Sequence, residues 1–308
     1  MTTQQERTGL IYAGLCALNG AFVPAFAKLT TGYSDAFFVA AATSVFGGIC
    51  AAVVLGVRGE LGTLLRPRIG PRLAAIGLLG TAAAFYLFYL GASRASAIDT
   101  VLCLQIEPAY ALVLAWLFLG HRPTARRIAA TAALLGGIAL ALGAEGLGGS
   151  GGTLVLLATP LCWQFSHLIT LRGLRGVAPG VLTGARYIYG GAILALLYAV
   201  AGAHVLPRAQ DLPVLLPLLA LQGVILSYAG TLLWYNAVTR LDLARTTSIV
   251  VPSVPVLSLG ASFALLGETP TLQQLLGLLI TAGGVLAFVT APHPADEVEE
   301  LLGEEHGL

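Results

Sequence analysis

Glu107 is the residue of this chain with the most chemistry to offer. It lies near the middle of the apolar run 96–119 and directly precedes Pro108. A charged carboxyl at the centre of a bilayer costs roughly 2.5–3.5 kcal/mol on insertion scales, so it is retained where it has a partner or a cavity. One reading makes Glu107 a cavity wall that binds a substrate amine or a proton. The other makes it a neutral acid hydrogen-bonded between helices. Pro108 lacks a backbone donor and tends to bend a helix. The expectation is that this bend turns Glu107 and a freed carbonyl toward a cavity. At about 100° per residue, Asp99, Cys103, Glu107, Tyr110 and Leu114 share one stripe, with Gln105 and Trp116 on the other side.

Other polar residues fall inside apolar runs. Arg186 lies well inside the run 180–202; it either meets a carboxylate in a cavity or snorkels to the interface. Trp163, Gln164 and His167 share the run 152–172, with Trp163, His167 and Thr170 on one stripe. Tyr86 and Tyr89 lie within one turn of each other in 71–92, and Tyr228, Thr231 and Tyr235 form a stripe in 212–237. These two sets could form facing aromatic walls, or they face lipid. Asn19 sits at mid-depth in the first run, where it either lines a cavity or bonds two helices. Ser253 lies between Pro252 and Pro255, a doubled proline break matching that at Pro108. Irregular backbone at membrane depth is tolerated against protein or a cavity, so the two breaks mark the expected site and its hinges. Metal chemistry would want H-E-x-x-H or a similar pattern, which is absent, as is G-x-S-x-G. No cofactor is implied. Cys16, Cys50, Cys103 and Cys162 sit in apolar runs and read as buried hydrophobes.

The elements that position these residues follow from composition. Hydrophobic residues make up 57% of the 308 and charged residues only 10%, with a net charge of +1. A soluble domain carries roughly 25% charged residues, so a soluble enzyme is excluded. A nucleic-acid partner would need a dense basic face. What remains is an all-α integral membrane protein with the lipid bilayer as its solvent. About 20 apolar residues make a spanning helix, and ten such spans are predicted: 9–29, 35–57, 71–92, 96–119, 124–143, 152–172, 180–202, 212–237, 243–266 and 271–291. The runs are too long and continuous for barrel strands.

Lys and Arg set the orientation. With the N-terminus in the cytoplasm, the inner segments hold Arg7, Arg58, Arg66, Arg68, Arg72, Arg122, Arg126, Arg127, Arg172, Arg175, Arg240 and Arg245. The outer segments hold Lys28, Arg94 and Arg208. Both termini are therefore expected in the cytoplasm, including an acidic tail, 293–308.

The chain also repeats itself. A shift of 147 residues lays Pro108 on Pro255, Gly120 on Gly267 and Gly136-Gly137 on Gly283-Gly284. Near the start the shift is about 143, laying Gly9 on Gly152. Each half thus holds five spans. Five is odd, so the second half enters the membrane from the opposite side. The predicted units are 1–146 and 147–292, two inverted five-helix repeats around a central cavity. Such repeats flank a midplane site and rock to give alternating access.

The segments Ala115-Trp-Leu-Phe-Leu-Gly-His-Arg-Pro-Thr124 and Ala264-Leu-Leu-Gly-Glu-Thr-Pro-Thr271, together with the five-plus-five repeat, resemble the EamA-type drug/metabolite transporter superfamily, and within it YddG-like amino-acid and metabolite exporters. The family signature after the fourth span of each half is Leu-Gly-Glu-like. Glu268 keeps it in the second copy, and His121 departs from it in the first. The resemblance implies a basket of helices around a cavity, with the fifth helix of each half at the periphery. It implies that Trp163 faces the cavity. It also implies export of a small molecule across the bacterial inner membrane. One carboxylate, one Arg and several aromatics suit an amino acid, with its amine near Glu107 and its apolar part against Tyr86 and Trp163. Cationic drugs or other small metabolites are the alternative cargo. Protons are a candidate coupling partner. A channel or an intramembrane enzyme is the rival class, and neither filter rings nor a nucleophile–His pair is visible.

Overall fold

The computed structural model describes residues 3–120, 122–148, 151–201, 205–241 and 243–291. The predicted acidic tail and His121 lie outside the described residues. Ten helices are long and apolar enough to cross a membrane: Gln4–Tyr33, Ala36–Val57, Gly70–Arg94, Ala97–Phe118, Ala125–Gly143, Gly152–Gly173, Pro179–Ala201, Leu212–Ala237, Ile249–Leu266 and Leu272–Val289. Each predicted span finds one of them, and the first is longer at both ends than predicted.

Local chemistry sets several of the ends. The Asp35 carboxylate accepts from the N–H groups of Phe37 and Phe38 at 2.9 and 3.2 Å and starts the second span. Ser96 caps the fourth. Thr271 and Gln274 form a capping box on the tenth.

Three spans are not plain α-helices. The third runs as Gly70–Gly77, a π-helical segment Leu78–Ala83, then Ala84–Arg94. The eighth runs as Leu212–Leu221, a π-helical segment Gln222–Ala229, then Gly230–Leu241. These two π segments occupy corresponding places in the repeat. The fourth span divides into Ala97–Leu104 and Glu107–Leu119, with Pro108 in the first turn of the second piece. Pro108 therefore opens a helix, where its missing N–H has no intrahelical partner to lose. The ninth span differs from this expected twin. It runs unbroken from Leu243 to Leu266 with Pro252 and Pro255 inside. The expectation of two matched breaks is corrected: only the fourth span is interrupted.

The packing has a two-fold pattern. The second span lies along the seventh, and the fifth along the tenth. The third packs on the sixth and seventh, as the eighth packs on the first and second. The fourth lies on the sixth, as the ninth lies on the first. Exchanging halves turns each pairing into another or into itself. The axis is visible at atomic scale between the second and seventh spans. A Cβ on Gly48 would come within 2.8 Å of the Tyr187 carbonyl, and one on Gly191 within 2.7 Å of the Ser44 carbonyl. Small residues let helix backbones approach this closely in lipid. Two matching halves of five spans each enter the membrane from opposite sides, so the repeat is inverted.

Candidate functional site

Glu107, Gln164 and His167 come together on the fourth and sixth spans, and Arg186 reaches the third from the seventh. Because the fourth span breaks just before Glu107, this carboxylate is carried on the first turn of a new helix. It faces the sixth span, where Gln164 Nε2 donates to Glu107 Oε1 at 2.7 Å. One turn on, the Tyr110 hydroxyl donates to the carbonyl of Leu157 at 3.0 Å, also on the sixth span. Asp99 turns elsewhere, its carboxylate accepting from Gln274 on the tenth span at 2.8 Å. The stripe expected from Asp99 to Leu114 is thus split by the break, because a 100° step holds only within one continuous helix.

Arg186 enters from the seventh span. One of its guanidinium nitrogens donates to the carbonyl of Gly80 at 2.7 Å. That carbonyl belongs to the π segment of the third span. The N–H of Ala84 bonds to Leu79 and Thr81 there and passes over Gly80, so the Arg186 side chain takes a carbonyl that has lost its regular α-helical donor. The same happens on the other side of the two-fold. The N–H of Gly230 passes over Leu226, and Asn19 Nδ2 donates to the Leu226 carbonyl at 2.8 Å. Asn19 is therefore engaged as a bond between helices. In each case the side chain belongs to one half and the carbonyl to the other.

Two donors remain unspent in this region. Arg186 Nε and Trp163 Nε1 are both buried without a hydrogen-bond partner. A Cβ added at Gly80 would meet both Ser166 Oγ at 2.6 Å and Arg186 Nε at 2.9 Å, so Arg186 lies beside the stretch of the sixth span that carries Trp163, Gln164 and His167. His167 lies half-buried, one turn beyond Trp163 and Gln164.

The tyrosines are arranged differently from the two facing walls expected. Tyr89 is 1% exposed and packs edge-on against Phe85 and Phe88 at ring distances of 5.9 and 5.1 Å. Tyr86, 37% exposed, stacks edge-on with Phe37 at 4.9 Å. Tyr228 is buried, and its hydroxyl has no partner. Between the two sets stands Tyr187, which contacts Phe85 and Tyr228, each at 6.0 Å. Its hydroxyl lies 3.2 Å from the Thr231 hydroxyl. Sequence reasoning did not single out Tyr187. Its adjacency to Arg186 within an apolar run was the available signal. Ser253 donates locally to the carbonyl of Ile249 at 2.6 Å, one turn back in its own helix. Among the described residues, no group of three or more His, Cys, Asp or Glu could hold a metal ion.

Comparison with known proteins bears on this arrangement. The EamA-like transporter family matches residues 7–143 and, a second time, residues 150–290. A probable terminal-alkyne amino-acid exporter of Streptantibioticus cattleyicolor is 29% identical over 246 residues, covering 77% of this chain and 79% of that protein. A solved crystal structure superposes with a TM-score of 0.64 at 18% identity, over 92% of this chain and 97% of its own. At that identity the likeness concerns the fold alone.

Proposed function

From the premise that this chain belongs to the EamA-like transporter family, we propose that it exports small amphoteric metabolites, amino acids above all, by alternating access. The halves 1–146 and 147–292 are the moving units, and the fourth span flexes at Gln105–Ile106. The bias of Lys and Arg supports termini on the cytoplasmic side, and the proposed setting is a bacterial inner membrane.

One observation carries the choice of cargo. An acceptor, Glu107, and two unspent donors, Arg186 Nε and Trp163 Nε1, are all set on or beside the sixth span, Glu107 through Gln164 and Arg186 beside Ser166. An amino acid offers the complementary pair, an ammonium for Glu107 and a carboxylate for the guanidinium. Tyr110, His167 and the indole face of Trp163 line the rest. Ser253, Tyr86, Tyr89 and Tyr228 stand further out, as packing around the pocket. The relative from S. cattleyicolor, named for amino-acid export, supports the same class. Phosphorylated cargo would want a cluster of Lys or Arg, and the chain has a single Lys, at position 28.

A cationic solute is the second reading. It is favoured by the bond between Arg186 and Gly80, which occupies part of the guanidinium. Uptake of labelled amino acids into proteoliposomes, with competition by cationic compounds, separates the two. Saturable, competable amino-acid flux lost in Glu107→Gln supports the first. Flux of cations alone, unaffected by Arg186→Gln, supports the second. Conductance without saturation would sink both.

A further inference from the structure

The last turn of the sixth span gathers three arginines. Arg172 lies within it, and one of its guanidinium nitrogens donates to the carbonyl of Phe118, near the end of the fourth span. Arg175, just beyond, turns back, its Nε donating to the carbonyl of Leu171 at 2.9 Å. Arg72 comes from the start of the third span and donates to the carbonyl of Gly173 at 3.2 Å. It lies against that glycine: a Cβ there would meet Arg72 Cδ at 2.6 Å and Nε at 2.9 Å. Arg72 and Arg172 therefore reach across the two halves in opposite directions.

Cations suit the carbonyl end of a helix, and cytoplasmic loops carry an excess of arginine. Three features of this corner exceed those rules. The charge is unanswered: residues 61–98, 108–144 and 146–210 contain no Asp or Glu. Among the described residues, none of the three arginines bonds a carboxylate; each spends one nitrogen on a carbonyl, and all three are exposed. Nor does the fold require them. Under the repeat, the last turn of the sixth span corresponds to that of the first, which has no basic residue. There the Thr30 and Thr31 hydroxyls donate to carbonyls of their own helix, each at 2.8 Å. Finally, apolar surface lies alongside. Phe165 precedes Arg172 by about two turns on the same face of the sixth span, and its ring packs edge-on with Phe118 at 6.2 Å. Phe118 is 41% exposed and Leu171 55%. Guanidinium groups at the membrane surface with apolar side chains beneath them repeat the order of a phospholipid, phosphate first and acyl chains below.

We propose that Arg72, Arg172 and Arg175 form the headgroup site of an anionic phospholipid, whose acyl chains lie along Phe118, Phe165 and Leu171. Basic pockets between helices on the cytoplasmic side take such headgroups, and a guanidinium pairs with phosphate through two parallel bonds. Because Arg72 and Arg172 already join the halves, the bound lipid ties the third, fourth and sixth spans together at this end. The site goes beyond the transport reading, and the orientation given above decides only which leaflet supplies the lipid.

The test uses the full chain in an uncharged detergent, titrated with phosphatidylglycerol, phosphatidylcholine or glycerol phosphate. A ligand of the folded state raises the melting temperature, and native mass spectrometry counts the lipid retained. Phosphatidylglycerol should raise the melting temperature and stay bound, whereas the other two should do neither. In Arg72→Gln with Arg172→Gln, the concentration giving half the effect should rise about ten-fold, the factor for losing a charge-assisted bond. Arg175→Gln breaks no contact between the halves and should shift it in the same direction, so the test survives a double variant that fails to fold. The control is Arg66→Gln with Arg68→Gln, two exposed residues on the neighbouring loop. It removes the same charge outside the site and should bind as the wild type does. Equal weakening in this control would mean diffuse surface charge and overturn the site, as would unchanged binding in Arg175→Gln or in the folded double variant. Equal stabilisation by phosphatidylcholine would remove headgroup recognition, and equal stabilisation by glycerol phosphate would remove the lipid; either overturns the proposal.

Discussion

Arg186 donates across the two halves to the carbonyl of Gly80, at 2.7 Å, an acceptor that the Ala84 N–H passes over in the π segment of the third span. The position has no room for a side chain. A Cβ on residue 80 would lie 2.6 Å from Ser166 Oγ and 2.9 Å from Arg186 Nε. Gly80→Ala should therefore push the guanidinium aside. The expected result is a lower apparent melting temperature, by the equivalent of about 1–3 kcal/mol, with a raised half-saturation concentration for amino acids. Asn19→Ala removes the corresponding bond to Leu226 and should cost roughly 0.6–1.7 kcal/mol, the range for hydrogen bonds between membrane helices. Because Asn19 touches a carbonyl and not the cargo, its variant should move melting without moving half-saturation. Equal effects on both quantities in the two variants would argue against a seat for carboxylate at Arg186.

The pair Glu107 and Gln164 gives a sharper test of charge. Glu107→Gln keeps a side chain able to bond Gln164, so a structural role predicts little change. A role in binding the amine predicts at least a ten-fold loss of amino-acid flux, since a charge-assisted hydrogen bond is replaced by a neutral one. The exchanged double variant, Glu107→Gln with Gln164→Glu, returns a carboxylate to the same 2.7 Å contact from the other helix. Partial recovery of flux is expected. Proteoliposome uptake of the wild type, both single variants and the double variant, analysed as a cycle, isolates the coupling. No recovery, with all four proteins folded, would place the need for charge on the fourth span specifically.

Much of this architecture is written in the sequence, and the reason is physical. Lipid obliges each span to be about 20 apolar residues long, so ten spans can be counted. Matched Pro and Gly positions expose the repeat because hydrophobicity alone does not require them. The π segments left no such mark. Leu78–Ala83 and Gln222–Ala229 are ordinary apolar stretches, yet each widens a turn and rotates everything beyond it. The stripe drawn at 100° from Tyr228 to Tyr235 starts inside the second of them, where that step does not hold. Proline is also ambiguous. Pro108 begins a helix after a break, whereas Pro252 and Pro255 sit inside a continuous one. The contact of Gln164 with Glu107 joins spans 57 residues apart in sequence, and no local pattern announces such pairing. Glu268 was legible as a signature residue, but the bonds its carboxylate accepts from the Ala97 and Ile98 N–H groups were not.

Inverted halves make a topological prediction that needs no substrate. Arg7, Arg58 and Arg122 should all be reached by a reagent from the cytoplasm, whereas Asp35 and Arg208 should be reached from outside. Single cysteines at these positions, probed in intact and permeabilised cells with an impermeant maleimide, check it. Seven spans, five of the first half and two of the second, separate Arg7 from Arg208. Finding both on the same side would contradict an odd number of spans in the first half.

The closing helices offer a prediction with its control built in. In Gly136-Gly137 and Gly283-Gly284, one member of each pair faces the partner helix and the other does not. A Cβ on Gly137 would come within 2.6 Å of the Thr281 backbone nitrogen, and one on Gly284 within 2.6 Å of the Leu134 nitrogen. Backbone cannot yield as a flexible side chain can, so Gly137→Ala and Gly284→Ala must separate the fifth and tenth spans. Each should cost about 1–3 kcal/mol. Positions 136 and 283 have nothing within 4 Å of an added Cβ. There, alanine should be neutral or slightly stabilising, since it lowers the entropy of the unfolded chain. The two inward contacts map onto each other when the halves are exchanged, so Gly137→Ala and Gly284→Ala should be destabilising to a similar degree. Melting followed by intrinsic fluorescence in detergent measures all four variants. A large loss at 136 or 283 would mean that this face is covered by another chain.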